Sequence, residues 1–364
     1  MICCERCFQD DNISAVIRNL NHKGQCPICG EQDVYLYNSD IDAEQSELNE
    51  MLSQILSLYS PKDDWNQAYD ECTFRTIEEN LCFEWSIFRV NTSGIRVIIE
   101  AIIYNSPEID GRILEQPCAI KEVHDIEYLR RYCFLNEYTW DDFKISLQEK
   151  NRFFSPAIMV NEVVFREILD NTAEVIPQGD WFYRARFAED EHSPRPIEEM
   201  YAPPSYLATA GRANSFGERC LYIGSDGQTC VKEIRAAAFD CVTIGKFYLK
   251  RNARVLDLNS IAYNSPFEAD IDMLQYKVNV HFLKQIAEEI AKPMRKDDSE
   301  LNYLPTQYIS SFAKYLNYDG VKYKSTFNQE AFNVAFFDPD ICECKSCQTY
   351  QVGNLDYQLN NVEF

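Results

Sequence analysis

Two pairs of closely spaced cysteines near the start of the chain constrain its fold more than any other feature. Cys4 and Cys7 form one C-x2-C pair, and Cys26 and Cys29 form a second pair after eighteen intervening residues. This spacing is typical of a zinc site in which four thiolates complete a tetrahedral shell. Because such a shell leaves no position for a substrate or a reactive water, we expect a structural zinc ion.

The composition restricts the classes of partner. The 364 residues carry a formal net charge of -23, and residues 1–150 hold 28 acidic against 13 basic side chains. This charge opposes binding to nucleic acids and anionic membranes, which depends on neutralising phosphates. The start of the chain does not resemble a signal peptide, and no apolar run predicts a membrane span. We therefore expect a cytoplasmic protein whose cysteines are reduced.

Changes in composition divide the chain into four predicted regions. A zinc ribbon over residues 1–40 precedes a mostly helical domain over residues 41–155. An α+β domain follows over residues 156–340, and residues 341–364 form a polar tail.

Hydrophobic periodicity predicts the elements of these regions. Predicted helices cover residues 48–58, 74–88 and 125–148, and the isoleucine-rich segment 96–104 fits either a buried helix or a strand. In the α+β region, the predicted helices cover 271–292 and 306–316. The predicted strands there cover 181–186, 220–223, 242–249, 253–257, 320–324 and 332–337.

Residues 201–236 deliver polar side chains at fixed spacing around glycines. The sequence GRAN at 211–214 predicts a turn, Tyr222 lies in a short strand, and Glu233 follows among small apolar residues. Glycines let the backbone approach a ligand closely, and an arginine fork matches phosphate oxygens. We expect a pocket that holds a phosphate and a reacting sugar together.

The sequence of residues 177–337 resembles the RES domain family, which is named for its Arg, Glu and Ser. Six blocks carry the resemblance in order: IPQGDWFYRAR (176–186), APPSYLATAGRANSFG (202–217), CLYIGSDGQTCVKEIR (220–235), VLDL (255–258), LPTQYISSFAKYLNYDGVKYKS (304–325) and NVAFFDP (333–339). The resemblance implies a fold similar to that of ADP-ribosyltransferases. It also implies a toxin of a bacterial toxin–antitoxin system, or an antiviral defence effector, that destroys NAD by hydrolysis or phosphorolysis.

The same resemblance implies partners and excludes one activity. NAD is the expected substrate, and an antitoxin or immunity protein is the expected protein partner. The helical region is similar to the HEPN-like region that precedes some RES domains, but HEPN ribonucleases need a histidine four to six residues after an arginine. No arginine precedes His124 at that spacing. Arg186 and His192 have the spacing, but they lie within the RES-like sequence and not in the helical region. We therefore do not expect ribonuclease activity.

Carried over residue by residue, the resemblance implies a set of site residues. The residues with an implied catalytic role are Arg212, Tyr222, Glu233 and Ser325. The residues with an implied NAD-binding role are Arg184, Gly211, Asn214 and Asn333. Glu233 would stabilise positive charge on the ribose as the nicotinamide leaves, and the arginines suit the pyrophosphate. Arg184 is also an alternative to Arg212 as the arginine in the family's name.

Several interpretations stay open at this point. Arg184 also fits an ion pair, Arg212 and Asn214 a turn, Tyr222 a core position, Glu233 a helix surface, and Ser325 a strand end. The tail cysteines are expected to be reduced surface thiols, with part of a second metal site as the alternative: Cys342, Cys344 and Cys347. The alternative functions are a protein ADP-ribosyltransferase and a non-catalytic module that binds NAD or senses a protein.

Overall fold

The chain folds into two compact units. The first comprises Met1–Glu137 together with Asn264–Val280, and the second comprises Tyr138–Tyr263 together with His281–Phe364. A computed structural model describes residues 1–43, 46–65, 74–85, 87–258, 265–268, 272–292, 299–328 and 330–353. The end of the predicted polar tail, residues 354–364, lies outside the described residues.

The first unit combines small sheets with helices. Its strands are Ile2–Cys4 (β1), Lys23–Gly24 (β2), Val34–Asn38 (β3), Ser60–Pro61 (β4) and Cys118–Ala119 (β5). The first three form a sheet in the order β1-β3-β2, and β4 pairs with β5 in a second sheet. The α-helices are Asp11–Asn19 (α1), Ser39–Asp42 (α2), Leu48–Leu56 (α3), Ile77–Asn80 (α4), Thr92–Asn105 (α5) and Ile126–Tyr132 (α6). A π-helical turn, Leu81–Trp85, follows α4 directly, so the helix predicted over 74–88 is shorter and irregular.

The isoleucine-rich segment is a helix, which resolves the alternative that the sequence left open. Asn91 caps α5 by accepting a hydrogen bond from the Gly94 N–H at 3.0 Å. Its buried residues recur at helical spacing, which a strand would not place on one face: Ile95, Ile98, Ile99 and Ile102.

The ribbon and the helices of the first unit share a single hydrophobic core. The cysteines of the ribbon belong to the same buried cluster as the apolar faces of α3 and α5. Part of this core comes from far along the sequence, because four residues of the later segment pack against it: Phe267, Met273, Leu274 and Tyr276. The first unit is therefore completed by residues that lie between two strands of the α+β region.

The second unit is built on an eight-stranded sheet, which confirms the α+β class. The strands are Ala173–Ile176 (β6), Trp181–Phe187 (β7), Leu221–Gly224 (β8), Cys241–Leu249 (β9), Ala253–Asp257 (β10), Gly320–Lys324 (β11), Phe332–Phe336 (β12) and Cys342–Gln351 (β13). Their order in the sheet is β13-β9-β7-β8-β12-β11-β10-β6, and only the pair β10 and β11 is parallel. Residues 342–351, which were expected to belong to a polar tail, instead form the edge strand β13, which pairs with β9 over its full length.

Helices flank this sheet and supply part of the site. They are Trp140–Glu149 (α7), Ser155–Met159 (α8), Glu162–Asn171 (α9), Ile197–Met200 (α10), Gly227–Glu233 (α11), Met273–Ala291 (α12) and Leu304–Tyr315 (α13). Residues of α12 up to Val280 belong to the first unit, and its remainder belongs to the second. Among the described residues, no helix is both long enough and apolar enough to cross a membrane.

Candidate active site

A cavity of about 800 Å³ lies beside β8, β11 and β12 of the second unit. Among the described residues that line it, Glu233 is the single carboxylate. Five basic residues also line it: Arg184, Arg212, Arg235, Lys292 and Lys324. In a chain with a net charge of -23, this cavity is a local basic region suited to an anionic ligand.

Glu233 is held in a defined orientation by two neighbouring side chains. It is the last residue of α11, and its Oε1 accepts hydrogen bonds from Ser325 Oγ at 2.7 Å and from Asn333 Nδ2 at 2.8 Å. Both donors reach the same oxygen, and no described residue donates to Oε2. The carboxylate is therefore fixed by one oxygen and available to a ligand through the other.

The sheet brings the two donors to Glu233. Asn333 lies on β12, with Gly224 of β8 opposite it on one side and Tyr323 of β11 on the other. Ser325 follows β11 directly, and its N–H donates to the Ala331 carbonyl to close the turn toward β12. A side chain at Gly224 would come within 2.9 Å of Asn333 Oδ1, so this position requires a glycine.

Arg184 on β7 presents an unsatisfied donor. Its Nη1 is buried and has no hydrogen-bond partner among the described residues, and no carboxylate there pairs with it. Burial is the main cause that lowers the pKa of Arg184 to about 10, and the charge of Arg186 adds to the effect. Buried polar groups are almost always paired, so a buried guanidinium nitrogen without a partner indicates a site for an anion.

The turn at 211–214 is organised by Asn214 and Tyr222. The Tyr222 hydroxyl donates to Asn214 Oδ1 at 2.7 Å and accepts from the Ala213 N–H at 3.1 Å. The Asn214 amide donates to the carbonyls of Thr209, Ser215 and Glu218, each at 3.0 Å. Both side chains therefore use their polar atoms to shape the turn, although both also line the cavity.

Gly211 is needed in this turn for space. A Cβ at this position would lie 2.6 Å from the Tyr222 hydroxyl oxygen and 2.7 Å from Asn214 Oδ1. Gln307 Nε2 also donates to the Gly211 and Asn214 carbonyls, at 2.8 and 3.0 Å. The glycine thus permits the Tyr222 and Asn214 side chains to pack closely against the backbone of the turn, and its carbonyl is hydrogen-bonded to Gln307 of α13.

Arg212 is held by the end of helix α12. Its Nη1 donates to the carbonyl of Glu289, and its guanidinium lies over the Tyr303 ring, 5.2 Å from the centroid. The last carbonyls of a helix lack partners within it and lie at the negative end of the helix dipole, so an arginine is stabilised there. Arg212 therefore lines the cavity without pairing with Glu233.

Residues that the sequence reasoning did not select also line the cavity. Tyr323 lies on β11 two residues before Ser325, and the end of α12 contributes Ile290, Ala291 and Lys292. Tyr323 is directly opposite Asn333 in the pair of β11 and β12, so its place beside the cavity depends on the register of the sheet, which the sequence did not indicate. The contribution of α12 depends on tertiary packing, which no local pattern indicates.

The four cysteines of the paired motifs form one cluster in the first unit. The Sγ atoms of Cys4 and Cys29 lie 3.4 Å apart, those of Cys7 and Cys26 lie 3.6 Å apart, and those of Cys4 and Cys7 lie 3.7 Å apart. Zinc–sulfur bonds of about 2.3 Å in a tetrahedron separate the sulfurs by about 3.8 Å. The cluster therefore fits a zinc ion, and it is the only such group among the described residues.

The cysteines of β13 are not the surface thiols expected from the sequence. Cys342 and Cys344 are buried in the core of the second unit, and Cys347 packs against that core. Alternation along the edge strand turns Cys342 and Cys344 toward the sheet interior, and an irregularity in the register between Cys344 and Ser346 brings Cys347 to the same side. They act as small apolar residues, and burial raises the pKa of Cys344 to about 12.

Comparison with known proteins identifies a family for part of the chain. Residues 182–359 match the model of the RES domain family. No curated protein matches the chain. The chain is similar to a solved structure described as "Crystal structure of the M.tuberculosis MbcT-MbcA toxin-antitoxin complex", at 14% identity and a TM-score of 0.32, over 51% of this chain and 92% of that chain. Residues 182–359 of this chain therefore form a member of the RES domain family.

Proposed function

We propose that this RES domain cleaves the nicotinamide–ribose bond of NAD. The observation that carries the proposal is the state of Glu233, whose Oε1 is fixed by Ser325 and Asn333 while Oε2 has no donor among the described residues. A carboxylate fixed in this way is suited to stabilise positive charge that develops on a neighbouring sugar carbon.

The remaining cavity residues suit the rest of the dinucleotide. NAD carries a pyrophosphate between its two riboses, and arginine donors match phosphate oxygens in geometry and charge. Arg184 offers a buried nitrogen without a partner in the described part of the chain, and Arg212 brings a second guanidinium to the same cavity. A volume of about 800 Å³ lies within the range of sites that bury small ligands.

The chemistry needs few protein groups. The bond between ribose C1′ and the pyridinium nitrogen breaks, and its electron pair passes to the ring, which becomes neutral and leaves without a proton. The positive charge left on C1′ and the ring oxygen is stabilised by Glu233. Water then forms an oxygen–C1′ bond and releases a proton to solvent, or inorganic phosphate forms the equivalent bond. This reaction requires no histidine.

For the cysteine cluster, we propose a structural zinc ion held by Cys4, Cys7, Cys26 and Cys29. The thiolates would supply all four ligands, so the ion would stabilise the fold of the first unit and take no part in the reaction. The RES resemblance further implies a toxin that depletes NAD and is restrained by an antitoxin.

Product analysis tests the proposed reaction. Purified full-length protein is incubated with NAD, with and without inorganic phosphate, and nicotinamide release is followed by chromatography. We expect release by the wild-type protein and a loss of about 1000-fold in Glu233→Gln, which removes the carboxylate charge. The matched control, Glu330→Gln, changes an exposed glutamate outside the cavity and should retain full activity.

The other outcomes separate the alternatives. ADP-ribose as the product identifies water as the acceptor, and a phosphorylated ADP-ribose identifies phosphate. Covalent attachment of label from NAD to a protein would show an ADP-ribosyltransferase instead. Absence of nicotinamide release under all of these conditions, or full activity in Glu233→Gln, would contradict the proposal.

A further inference from the structure

Two tyrosines line the cavity, and their hydroxyl groups are in different situations. Tyr222 on β8 donates to Asn214 Oδ1 and accepts from the Ala213 N–H. The Tyr323 hydroxyl, on β11, forms no hydrogen bond with any residue that the structure describes, although Tyr323 lines the same cavity. The tyrosine that the sequence reasoning selected thus has its hydroxyl engaged within the protein, and the one it passed over does not.

The register of the sheet places Tyr323 beside the groups that hold Glu233. Tyr323 is directly opposite Asn333 in the antiparallel pair of β11 and β12. Residues directly opposite each other in an antiparallel pair lie on the same face of the sheet, and Ser325 follows Tyr323 by two residues, just after the end of β11. Asn333 and Ser325 both donate to Glu233, so Tyr323 belongs to the same face of the sheet as the support of the carboxylate.

The protonation state of Tyr323 suits a hydrogen-bond donor. Burial raises the pKa of its hydroxyl above the ordinary tyrosine value, and the negative charge of Glu233 raises it further, while Arg212 opposes the shift. The phenol is therefore neutral at physiological pH, able to donate one hydrogen bond and to accept others. A neutral phenol cannot act as a general base, so its role is to bind and orient the substrate.

We propose that Tyr323 contacts the substrate, with its hydroxyl hydrogen-bonded to a ribose hydroxyl next to Glu233, and that Tyr222 acts indirectly as a positioning residue for the turn at 211–214. The inference depends on the proposed function, since it assigns a residue to the ribose of NAD. The ribose presents two adjacent hydroxyls, and the free oxygen of Glu233 and the phenol of Tyr323 offer an acceptor and a donor to that diol.

The test compares three tyrosine-to-phenylalanine variants of the full-length protein. Tyr323→Phe removes only the hydroxyl, and we expect kcat/KM for NAD to fall about 10- to 100-fold, the usual effect of losing one hydrogen bond in a site that develops charge. The affinity for the product ADP-ribose, measured by calorimetry, should fall about 10-fold. The control Tyr315→Phe changes an exposed tyrosine on α13 and should alter neither quantity.

Thermal unfolding separates the two roles. Tyr323→Phe should melt at the wild-type temperature, because its hydroxyl has no partner in the described structure. Tyr222→Phe loses two hydrogen bonds within the protein, so its midpoint should fall by about 3 °C or more. Tyr222→Phe should affect kcat/KM only through this disturbance of the turn.

The binding measurement keeps this inference distinct from the proposed reaction. If the wild-type protein releases no nicotinamide but binds ADP-ribose in a way that depends on Tyr323, the proposed reaction is wrong and the contact stands. Wild-type kinetics and wild-type ADP-ribose affinity in Tyr323→Phe would overturn the inference, as would failure of the wild-type protein to bind ADP-ribose. A large loss of kcat/KM in Tyr222→Phe without any loss of stability would reverse the two roles.

Discussion

The cysteine cluster of the first unit and the cavity of the RES domain are assembled in different ways. The cluster draws its ligands from two short motifs, and their Sγ atoms all lie within 4.8 Å of one another. The support of Glu233 instead comes from α11, the end of β11 and β12, roughly a hundred residues apart in sequence. Spacing within a motif therefore predicts the first site, whereas the order of strands in a sheet decides the second.

The two sites also differ in how completely their polar groups are used. In the cluster, each cysteine lies against another cysteine, in an arrangement that a single ion would complete. In the cavity, Glu233 Oε2 has no donor among the described residues, and Arg184 Nη1 is buried there without a partner. A closed shell is typical of a structural role, and unsatisfied groups around a cavity are typical of binding.

Removing one ligand of the cluster should have the largest effect. Cys26→Ser replaces a thiolate with a poor zinc ligand, and structural zinc contributes on the order of 10 kcal/mol to the folding of small zinc domains. We expect the wild-type protein to contain one zinc per chain and the variant to lose both the metal and the cooperative unfolding of the first unit. Elemental analysis and calorimetry of the full-length protein measure these quantities.

A half-buried cysteine of the same unit provides the control. Cys82→Ser lies outside the cluster and should retain zinc. Absence of zinc from wild-type protein produced with zinc in the medium would contradict the structural assignment of the cluster, and so would retention of zinc by Cys26→Ser.

The regular elements of the RES domain were predictable because their signals are local. The strands predicted over 181–186, 242–249 and 253–257 are β7, β9 and β10, and the helix predicted over 306–316 is α13 within two residues at its start. Alternation and helical periodicity show which residues of an element face the core. These signals therefore lie within the sequence of the element itself. The Cys-x2-Cys spacing was informative for the same reason.

Three features were not predictable because they depend on long-range packing. Residues 264–280 complete the first unit, although the sequence places them between β10 and β11. Helix α12 supplies the carbonyl that accepts a hydrogen bond from Arg212, and the Asn214 side chain accepts a hydrogen bond from the Tyr222 hydroxyl. None of these contacts has a signature in its own stretch of sequence, so the sequence selected Tyr222 by resemblance and passed over Tyr323.

The next largest effect is expected from Arg184, whose unsatisfied charge distinguishes the cavity from the cluster. Its pKa in the folded protein, about 10, lies below that of free arginine, so the folded state disfavours the charged form. This loss of stability is present at every pH below about 10 and disappears as the pH rises toward the free value. Arg184→Met should therefore raise the melting temperature at pH 7 and, by removing a phosphate ligand, raise the KM for NAD about 10- to 100-fold.

The prediction is specific because the stability of Arg184→Met should rise while its affinity for NAD falls. The control Arg251→Met removes a surface ion pair with Asp319, 2.7 Å long, and should leave the KM unchanged. A lower melting temperature with an unchanged KM in Arg184→Met would instead indicate a structural role for this arginine.

The smallest effect is expected at Gly211, where the cavity depends on close packing within the turn. In Gly211→Ala, the new methyl group would overlap the Tyr222 hydroxyl and Asn214 Oδ1, so the hydrogen bond between them must lengthen or break. Forcing a methyl group into a packed site costs about 1–3 kcal/mol. We expect a melting temperature lower by about 3–6 °C and a several-fold lower kcat/KM for NAD, measured by thermal unfolding and nicotinamide release.

Gly353→Ala is the matched control for that substitution, because among the described residues no atom beyond its chain neighbours lies within 4 Å of the added methyl group. It reports the general effect of replacing glycine with alanine on the unfolded chain, which is small and stabilising where the conformation allows it. The difference between the two variants therefore isolates the packing around Tyr222. If both variants melt and react alike, the bond between Tyr222 and Asn214 does not shape the turn, and the positioning role of Tyr222 is wrong. If only Gly211→Ala loses activity, the turn contributes to the cavity through its shape, in contrast to the cluster, whose cysteines would act through the zinc ion that we propose they bind.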